Sequence, residues 1–225
     1  MLYLVPTPIG NREDITLRAL NVLRDVDVIL AEDTRSSGRL LDHFSIKTPV
    51  ASFHAFNEHK VLEKYLEELQ SGKSIALISD AGTPGISDPG YLLVRACAER
   101  DIPLSVLPGP TAFVPAIVMS AIPAQHFHYE GFLPHKKGRK SRIQYLAQLE
   151  STIVMYESPH RLVKCLNEFA AEAGSDRKAA VIREISKLHE TAHRGSLQEL
   201  TTYFEANPPK GEIAVVIAGA NVKAD

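Results

Sequence analysis

Two carboxylates and an arginine follow an apolar run at Glu32, Asp33 and Arg35. Carboxylates packed next to a cation are typical of sites that perform acid–base chemistry, because such neighbours shift one another's pKa values. The same residues also fit a structural role, since Asp33 or Thr34 could cap the following helix and interact favourably with its dipole. The segment therefore predicts a functional site, with helix capping as the alternative. A metal site has weak support, because no third or fourth ligand is evident.

A longer loop, Ser79–Gly90, carries three glycines and two prolines between an apolar run and a helical pattern. Glycine lets a backbone approach a ligand closely, and Pro89 suits the first turn of the next helix with Asp88 as its cap. The loop matches neither the G-x-G-x-x-G pattern of dinucleotide-binding proteins nor the phosphate-binding G-x-x-x-x-G-K-[ST] pattern. We therefore expect it to bind a ligand of another class.

Four other loops follow predicted strands, at the end of the sheet where ligands bind in open α/β proteins. Residues 6–11 form a turn rich in proline and glycine, which would lose little entropy when a ligand docks. Residues 107–112 form a strand-to-helix turn, for which a helix start at Pro110 is the alternative. The segments 156–161 and 183–190 are expected to have a secondary role in the site, because a lone histidine in such a segment is usually structural.

A basic run extends from His135 to Arg142 and includes a glycine. Its cations predict a mobile loop that binds phosphates in a salt-sensitive manner, with a solvated loop and helix start as the alternative. The residues expected to contact RNA are Lys136, Lys137, Arg139, Lys140 and Arg142.

The composition is that of a globular protein with no strong overall charge. The 225 residues include 25 basic and 27 acidic side chains, with a formal net charge of -2, so any contact with nucleic acid must come from a local patch. Cys97 and Cys165 lie among apolar neighbours in helical patterns and are expected to be reduced core thiols. No apolar stretch approaches ~20 residues, from which we expect a cytoplasmic protein without a membrane span.

Strand-like runs alternate with helical patterns, which predicts an α/β fold. Pro123 indicates a linker, so we expect an N-terminal domain of residues 1–120 and a C-terminal domain of residues 121–225. Strands are predicted at residues 2–6, 26–31, 50–54, 74–79, 104–107, 128–132, 152–157, 179–184 and 212–218. Helices are predicted at about residues 14–25, 34–44, 57–70, 91–100, 111–121, 140–150, 160–173 and 197–205.

Eight segments occur in order along nearly the whole chain: VPTPIGN, AEDTR, SDAGTPGISDPG, PGPTA, YEGFLP, YESPHRL, REISKLHE and KGEIAVVI. Together they resemble the ribosomal RNA small subunit methyltransferase I family, which belongs to the tetrapyrrole methylase superfamily. The resemblance implies two α/β/α domains, with a mostly parallel N-terminal sheet, a mixed C-terminal sheet and a cofactor cleft between them. It also implies a homodimer that uses S-adenosylmethionine to methylate the ribose 2′-hydroxyl of a cytidine in small-subunit (16S) ribosomal RNA.

The resemblance also assigns residues. Glu32, Asp33 and Arg35 would lie on the substrate side of the cofactor. Ser186 replaces the threonine that is usual in the family and keeps its hydroxyl group. Many relatives carry a further C-terminal segment, so the basic run here is expected to carry more of the RNA contact. The residues that would contact the cofactor are Pro8, Asp80, Ala81, Gly82, Thr83, Ile86, Ser87, Thr111, Ala112, Tyr156, Ser186, Pro209 and Gly211.

A ribose hydroxyl is a poor nucleophile until it loses its proton. We hypothesise that Asp33 or Glu32 takes this proton, or that Arg35 or Lys187 stabilises the developing oxyanion. Two other functions stay open. A tetrapyrrole C-methyltransferase would keep the cofactor, and a coloured preparation would support it. A non-catalytic ribosome-assembly factor would bind RNA through the basic run, and failure to bind any adenosyl compound would favour it.

Overall fold

The computed structural model describes residues 1–86 and 89–221, which form two compact units, Met1–Thr111 and the chain from Ala112 onward. The first unit contains one five-stranded, wholly parallel sheet with strand order β3-β2-β4-β1-β5. Its strands are β1 (Leu2–Leu4), β2 (Val28–Ala31), β3 (Val50–Ser52), β4 (Ile75–Ile78) and β5 (Leu104–Val106). Its helices are α1 (Leu17–Asp25), α2 (Thr34–His43), α3 (Glu58–Gln70) and α4 (Tyr91–Glu99), with a short 3-10 helix at Arg12–Asp14.

Apolar side chains on both faces of this sheet explain its parallel arrangement, because helices must cover a parallel sheet on both sides. Every residue of β4 is buried. Its alternate side chains Ala76 and Ile78 join one core cluster with α1 and α2, whereas Ile75 and Leu77 join a second cluster with α3 and α4. The helix starts follow capping chemistry, since the Thr16 hydroxyl accepts a hydrogen bond from the amide of Ala19.

The second unit contains a mixed sheet with strand order β6-β7-β10-β8-β9, in which β6 and β7 are parallel and the other pairs are antiparallel. Helices α6, α7 and α8 bury one face of the sheet. Its strands are β6 (Phe127–Phe132), β7 (Thr152–Glu157), β8 (Lys178–Arg183), β9 (Thr191–Ser196) and β10 (Ile213–Ile217). Its helices are α5 (Phe113–Ser120), α6 (Arg139–Ala147), α7 (Leu162–Ala173) and α8 (Leu197–Ala206), with a short 3-10 helix at Pro159–Arg161.

The two-sheet α/β architecture confirms the predicted fold class, but individual elements differ. Strand β9 was not predicted, because its half-buried sequence is short of apolar residues and includes Gly195. Helix α4 begins at Tyr91 with Gly90 as its N-cap, so Pro89 precedes the helix, and the predicted cap Asp88 lies outside the described residues. Helix α5 packs against β7, β8 and β10 and therefore belongs to the second unit, whereas the predicted boundary after residue 120 assigned it to the first.

Both cysteines are free and buried, Cys97 in α4 and Cys165 in α7, as expected. Burial raises the pKa of the Cys165 thiol to about 12, so the thiol stays protonated and inert. Among residues 1–86 and 89–221, no helix is long and apolar enough to cross a membrane. Within the same ranges, no three His, Cys, Asp or Glu side chains are grouped as metal ligands.

Candidate active site

The five strands of the first sheet are parallel, so the loops that follow them lie at one edge of the sheet. These loops carry the candidate functional residues of the first unit. Loop 5–11 follows β1, loop 32–33 follows β2, and loop 53–57 follows β3. Loop 79–90 follows β4, and loop 107–112 follows β5. We call this the carboxyl edge of the first sheet. In open α/β sheets ligands bind at such an edge.

Hydrogen bonds join the loops after β1 and β4. The backbone amides of Thr7 and Gly82 each donate to the other's carbonyl at 2.9 Å, forming an isolated antiparallel bridge. The hydroxyl of buried Thr7 also donates to the Ser79 carbonyl at 3.0 Å. Gly82 has a φ of 83°, a left-handed conformation that most residues avoid. The two loops therefore form one rigid frame.

The loop after β5 completes this frame. The Thr83 hydroxyl donates to the Pro110 carbonyl at 3.2 Å. A Cβ atom added to Gly109 would lie 2.6 Å from Cβ of Pro6 and 2.9 Å from its Cγ. Because the proline ring is not flexible, only glycine fits this approach of the two loops. The residues of this unit that are predicted to contact the cofactor lie on the frame: Pro8, Asp80, Ala81, Gly82, Thr83, Ile86 and Thr111, while Ser87 lies outside the described residues.

Asp33 is engaged by its own helix. It is the N-cap of α2, and its Oδ1 accepts a hydrogen bond from the Arg35 amide at 2.8 Å. The Arg35 guanidinium also pairs with the carboxylate, with Nη2 3.1 Å from Oδ2. These hydrogen bonds with Arg35 lower the pKa of Asp33 to about 2. Such an acidic carboxyl group is a poor proton acceptor, so the capping alternative describes the geometry of Asp33.

Glu32 has the opposite electrostatic environment. Its half-buried carboxyl group loses solvation, which raises its pKa, and the nearby carboxylate of Asp80 raises the pKa further. His54, after the neighbouring strand β3, partly opposes this effect. The Asp33 amide donates to Asp80 Oδ1 at 3.3 Å, which places the loops after β2 and β4 side by side. Of the two predicted carboxylates, Glu32 is the better proton acceptor.

The sequence alone does not identify His54 as part of the site. Its Nδ1 atom is buried and has no hydrogen-bond partner among the described residues. The only signal in the sequence is its position directly after an apolar run at a strand end. A histidine in that place is usually structural, so its proximity to Glu32 emerges only from the pairing of β2 with β3.

In the second unit, antiparallel pairing brings the ends of β7 and β8 beside the start of β10. Ile213 pairs with Glu157 on one side and with Arg183 on the other. The segments that contain four predicted cofactor residues therefore meet at this edge: Tyr156, Ser186, Pro209 and Gly211. The fifth predicted cofactor residue of this unit, Ala112, is the N-cap of α5.

Lys187 holds this edge together. Its ammonium group lies 3.0 Å from Oε1 of Glu184 and 3.0 Å from Oε2 of Glu212. Burial lowers the pKa of Lys187, but the hydrogen bonds to both carboxylates outweigh burial and leave it raised. Glu184 Oε1 also accepts the Glu212 amide at 2.8 Å. The ammonium charge is therefore balanced by two carboxylates, which favours a structural role over the predicted stabilisation of an oxyanion.

The basic run is predicted as a mobile cationic loop, but its second half begins α6 and one of its cations is buried. Arg139 is only 5% exposed, and its guanidinium contacts Glu168 at 2.7 Å and Glu157 at 3.2 Å. The prediction that Arg139 contacts RNA is wrong, because its charge is buried and paired within the unit. Arg142 is partly exposed and pairs with Glu130 at 2.6 Å. The exposed cations of the run are Lys136, Lys137 and Lys140.

A buried charge cluster around Glu157 was also not predicted. The carboxylate has no exposed side-chain area and pairs with Arg139 and with Arg161, the latter at 2.7 Å. It also accepts the Ser158 amide at 2.8 Å. The cluster fixes the turn after Tyr156 and the root of the basic run. Glu157 ends an apolar strand, and nothing in the sequence indicates that its partners lie 18 residues earlier and four residues later.

Comparisons with known proteins agree with this architecture. The model of the tetrapyrrole (corrin/porphyrin) methylase family matches residues 1–201. The chain is 50% identical to ribosomal RNA small subunit methyltransferase I of Synechocystis sp., over 98% of this chain and 79% of that protein. It is 45% identical to the protein of the same name from Thermotoga maritima, over 97% of this chain and 98% of that protein. Identity to the Escherichia coli O157:H7 protein is 46%, over 97% and 77%.

Solved structures share the fold at low sequence identity. A diphthine synthase superposes with a TM-score of 0.74 at 15% identity, over 96% of this chain and 89% of that chain. A uroporphyrin-III C-methyltransferase from Thermus thermophilus, complexed with S-adenosylhomocysteine, superposes with a TM-score of 0.65 at 17% identity, over 96% of both chains. At such identities the similarity establishes the fold alone.

Proposed function

The chain belongs to the ribosomal RNA small subunit methyltransferase I family of the tetrapyrrole methylases, and we propose that it methylates small-subunit ribosomal RNA with S-adenosylmethionine. The observation that carries this proposal is the 43–50% identity, over nearly the whole chain, to proteins of that name. The proposed acceptor is the ribose 2′-hydroxyl of a cytidine.

The frame at the carboxyl edge of the first sheet fits S-adenosylmethionine. Gly82 and Gly109 let the three loops pack closely into one frame, and the exposed carboxylate of Asp80 can accept hydrogen bonds from hydroxyl or ammonium groups. We assign the described contacts of this unit to Pro8, Asp80, Ala81, Gly82, Thr83, Ile86 and Thr111. When bound, the cofactor supplies a methyl group already activated on a positively charged sulfur. The frame contributes position, which can supply up to roughly 7–11 kcal/mol of the barrier.

We assign proton removal from the ribose hydroxyl to Glu32. Its raised pKa makes the carboxylate a stronger base than an ordinary glutamate, and a positioned general base contributes about 10²–10⁴-fold. Asp33 supports the loop as the cap of α2 and holds Arg35. The exposed Arg35 guanidinium keeps its charge and can still face an RNA phosphate or the oxyanion.

The proposed RNA contact outside the carboxyl edge is made by Lys136, Lys137 and Lys140. All three are exposed, and Arg139 within the same run fixes its root by pairing with Glu157 and Glu168. Because the start of α6 is anchored, the nearby lysines can bind successive phosphates with little loss of conformational entropy. A ribosomal substrate also implies that the protein acts in the cytoplasm.

We further propose a homodimer. Exposed apolar side chains on α5 and β6 support it, because apolar surface of this kind favours association. They are Val114, Val118, Phe127 and Phe132, with exposures of 46%, 74%, 44% and 57%. Light scattering coupled to size-exclusion chromatography should give twice the chain mass, and Val118→Asp should reduce it to the single-chain mass. A single-chain mass for the unaltered protein would contradict the dimer.

Transfer of a labelled methyl group tests the function. The protein is incubated with S-adenosylmethionine carrying a radiolabelled methyl group and with undermethylated small ribosomal subunits, and the label should enter the RNA. Binding of the cofactor without label in RNA would overturn the RNA substrate and favour a tetrapyrrole acceptor. Failure to bind any adenosyl compound would instead favour a non-catalytic RNA-binding protein.

A further inference from the structure

Phe56 is almost completely exposed at the carboxyl edge of the first sheet. Its relative exposure is 93%, so the ring covers none of the core. Single exposed apolar residues are common on protein surfaces and need no special explanation. The exposure of Phe56 is not a chance feature, because hydrogen bonds fix the turn that carries it and because residues of the proposed site lie beside that turn.

The turn that carries Phe56 is fixed by Asn57. The Asn57 side chain accepts a hydrogen bond from the His54 amide at 2.8 Å and donates one to the Ser52 carbonyl at 3.1 Å. The backbone amides of Asn57 and Glu58 both donate to the His54 carbonyl at 2.9 Å. Four hydrogen bonds therefore hold a short turn in a conformation that points an apolar ring into water. A rigid turn loses little entropy when a ligand stacks on that ring.

The turn is directly connected to the environment of Glu32. The Phe53 amide donates to the Ala31 carbonyl at 2.8 Å, which places loop 53–57 beside the loop after β2. The imidazole of His54 interacts with both features. Its ring centroid is 6.0 Å from that of Phe56, in an edge-to-face arrangement, and its charge affects the pKa of Glu32. His54 and the paired loops thus connect an exposed aromatic ring to the proposed proton acceptor.

We propose that Phe56 stacks against a nucleobase of the RNA substrate and so positions the ribose hydroxyl near Glu32. This inference rests on the proposed function. Sequence-specific recognition of RNA uses unstacked bases, which stack on exposed aromatic side chains and offer a flat apolar face to them. The Phe56 ring meets His54 edge to face and is otherwise exposed to solvent, so it offers a flat apolar surface to a base. Phe56 is therefore a binding residue for the nucleotide, distinct from the loops that form the frame for the cofactor.

A fluorescence experiment tests the stacking directly, because the chain contains no tryptophan. Phe56→Trp introduces a single indole whose emission should be quenched when a base stacks on it. Leu104→Trp is the control. Leu104 is also an exposed apolar residue, but it lies at the amino-terminal end of β5, away from the carboxyl edge of the first sheet. Small-subunit RNA should quench the tryptophan at position 56 and leave the control unchanged. Binding of labelled RNA is followed in parallel by its fluorescence anisotropy.

Kinetics provide the second measurement. Phe56→Ala should raise the KM for RNA by about 5- to 150-fold, the range expected for loss of one base–aromatic stack. It should leave kcat and the Kd for S-adenosylhomocysteine near their original values. Phe56→Tyr keeps a ring and should leave the KM near that of the unaltered protein. Phe56→Leu keeps apolar volume without a ring and should raise the KM.

Each other outcome overturns the inference in a recognisable way. RNA that binds without quenching the tryptophan at position 56, or an unchanged KM in Phe56→Ala, removes the stacking role and leaves the proposed function intact. Quenching by S-adenosylhomocysteine alone would assign the ring to the cofactor. Absence of both RNA binding and methyl transfer by the unaltered protein would overturn the inference together with the proposed function.

Discussion

At the scale of single residues, the pKa values of two adjacent carboxyl groups are shifted in opposite directions because their surroundings differ. Asp33 caps α2 and pairs with Arg35, which stabilises its ionised form. Glu32 loses solvation beside Asp80, which favours its protonated form. The sequence places the two side by side and cannot separate them. Only the fold determines which carboxylate is directed toward the helix and which toward the next loop.

Glu32→Gln should therefore lower kcat about 10²- to 10⁴-fold, because the amide keeps the shape but cannot accept the proton. The Kd for S-adenosylhomocysteine, measured by calorimetry, should stay within a factor of a few. Asp33→Asn is the matched control, and its loss of kcat should be much smaller than that of Glu32→Gln. An equal loss in both variants would contradict the assignment of the base to Glu32.

The pH profile provides an independent check on the same assignment. The active form of Glu32 is the carboxylate, which is populated above its pKa, so the rate should rise with pH. Because burial and Asp80 raise the pKa of Glu32, the pKa obtained from the acid limb of the kcat–pH profile should lie above the ordinary value of 4.5. Asp80→Asn removes one cause of the shift and should move the limb to lower pH. A limb that does not move would show that another group titrates.

Arg139 gives a prediction about stability. Arg139→Met leaves the buried Glu157 carboxylate with one fewer cation, and breaking a buried pair in this way costs about 3–5 kcal/mol. Urea denaturation should show this loss. Lys140→Met changes the neighbouring exposed residue and should shift the free energy of unfolding by no more than about 0.5 kcal/mol. Equal stabilities of the two variants would mean that the Arg139 charge is solvated.

At the scale of elements, the frame at the carboxyl edge of the first sheet depends on the close approach of two loops. Gly109→Ala would press a methyl group against Pro6, and overpacking of this kind costs about 1–3 kcal/mol. Affinity for S-adenosylmethionine should fall with it. Gly38→Ala is the control, because the site in α2 has no heavy atom within 4 Å and alanine favours a helix by about 0.5–1 kcal/mol. Tighter cofactor binding by Gly109→Ala would contradict the claim that the frame requires glycine at this position.

Elements with strong local patterns could be predicted from the sequence, and those that depend on partners could not. Buried strands such as β4 and β10 are apolar on both faces and were located to within a residue at each end. Strand β9 pairs only at the edge of its sheet and has no such pattern. The loops that carry the site were recognised because proline and glycine shape them locally. The burial of Arg139 was not predictable, because its acidic partners come from β7 and α7.

At the scale of the whole molecule, a formal charge of -2 requires that RNA binding be local. Replacing Lys136, Lys137 and Lys140 by glutamine should reduce the dependence of RNA affinity on salt. The slope of log K against log salt should fall by about 0.7 per lysine that meets a phosphate on single-stranded RNA. Affinity for S-adenosylhomocysteine, a ligand without phosphates, serves as the control and should not change. An unaltered slope would exclude these lysines from the RNA contact.

Identification of the nucleoside that receives the methyl group tests ribose methylation by this protein. Undermethylated small subunits are treated with the protein and labelled S-adenosylmethionine, and the RNA is digested to nucleosides and analysed by mass spectrometry. We predict a single labelled product, 2′-O-methylcytidine, which is nearly absent when Glu32→Gln is used. A methyl group on a base, or label confined to protein or to a small acceptor molecule, would contradict ribose methylation by this site.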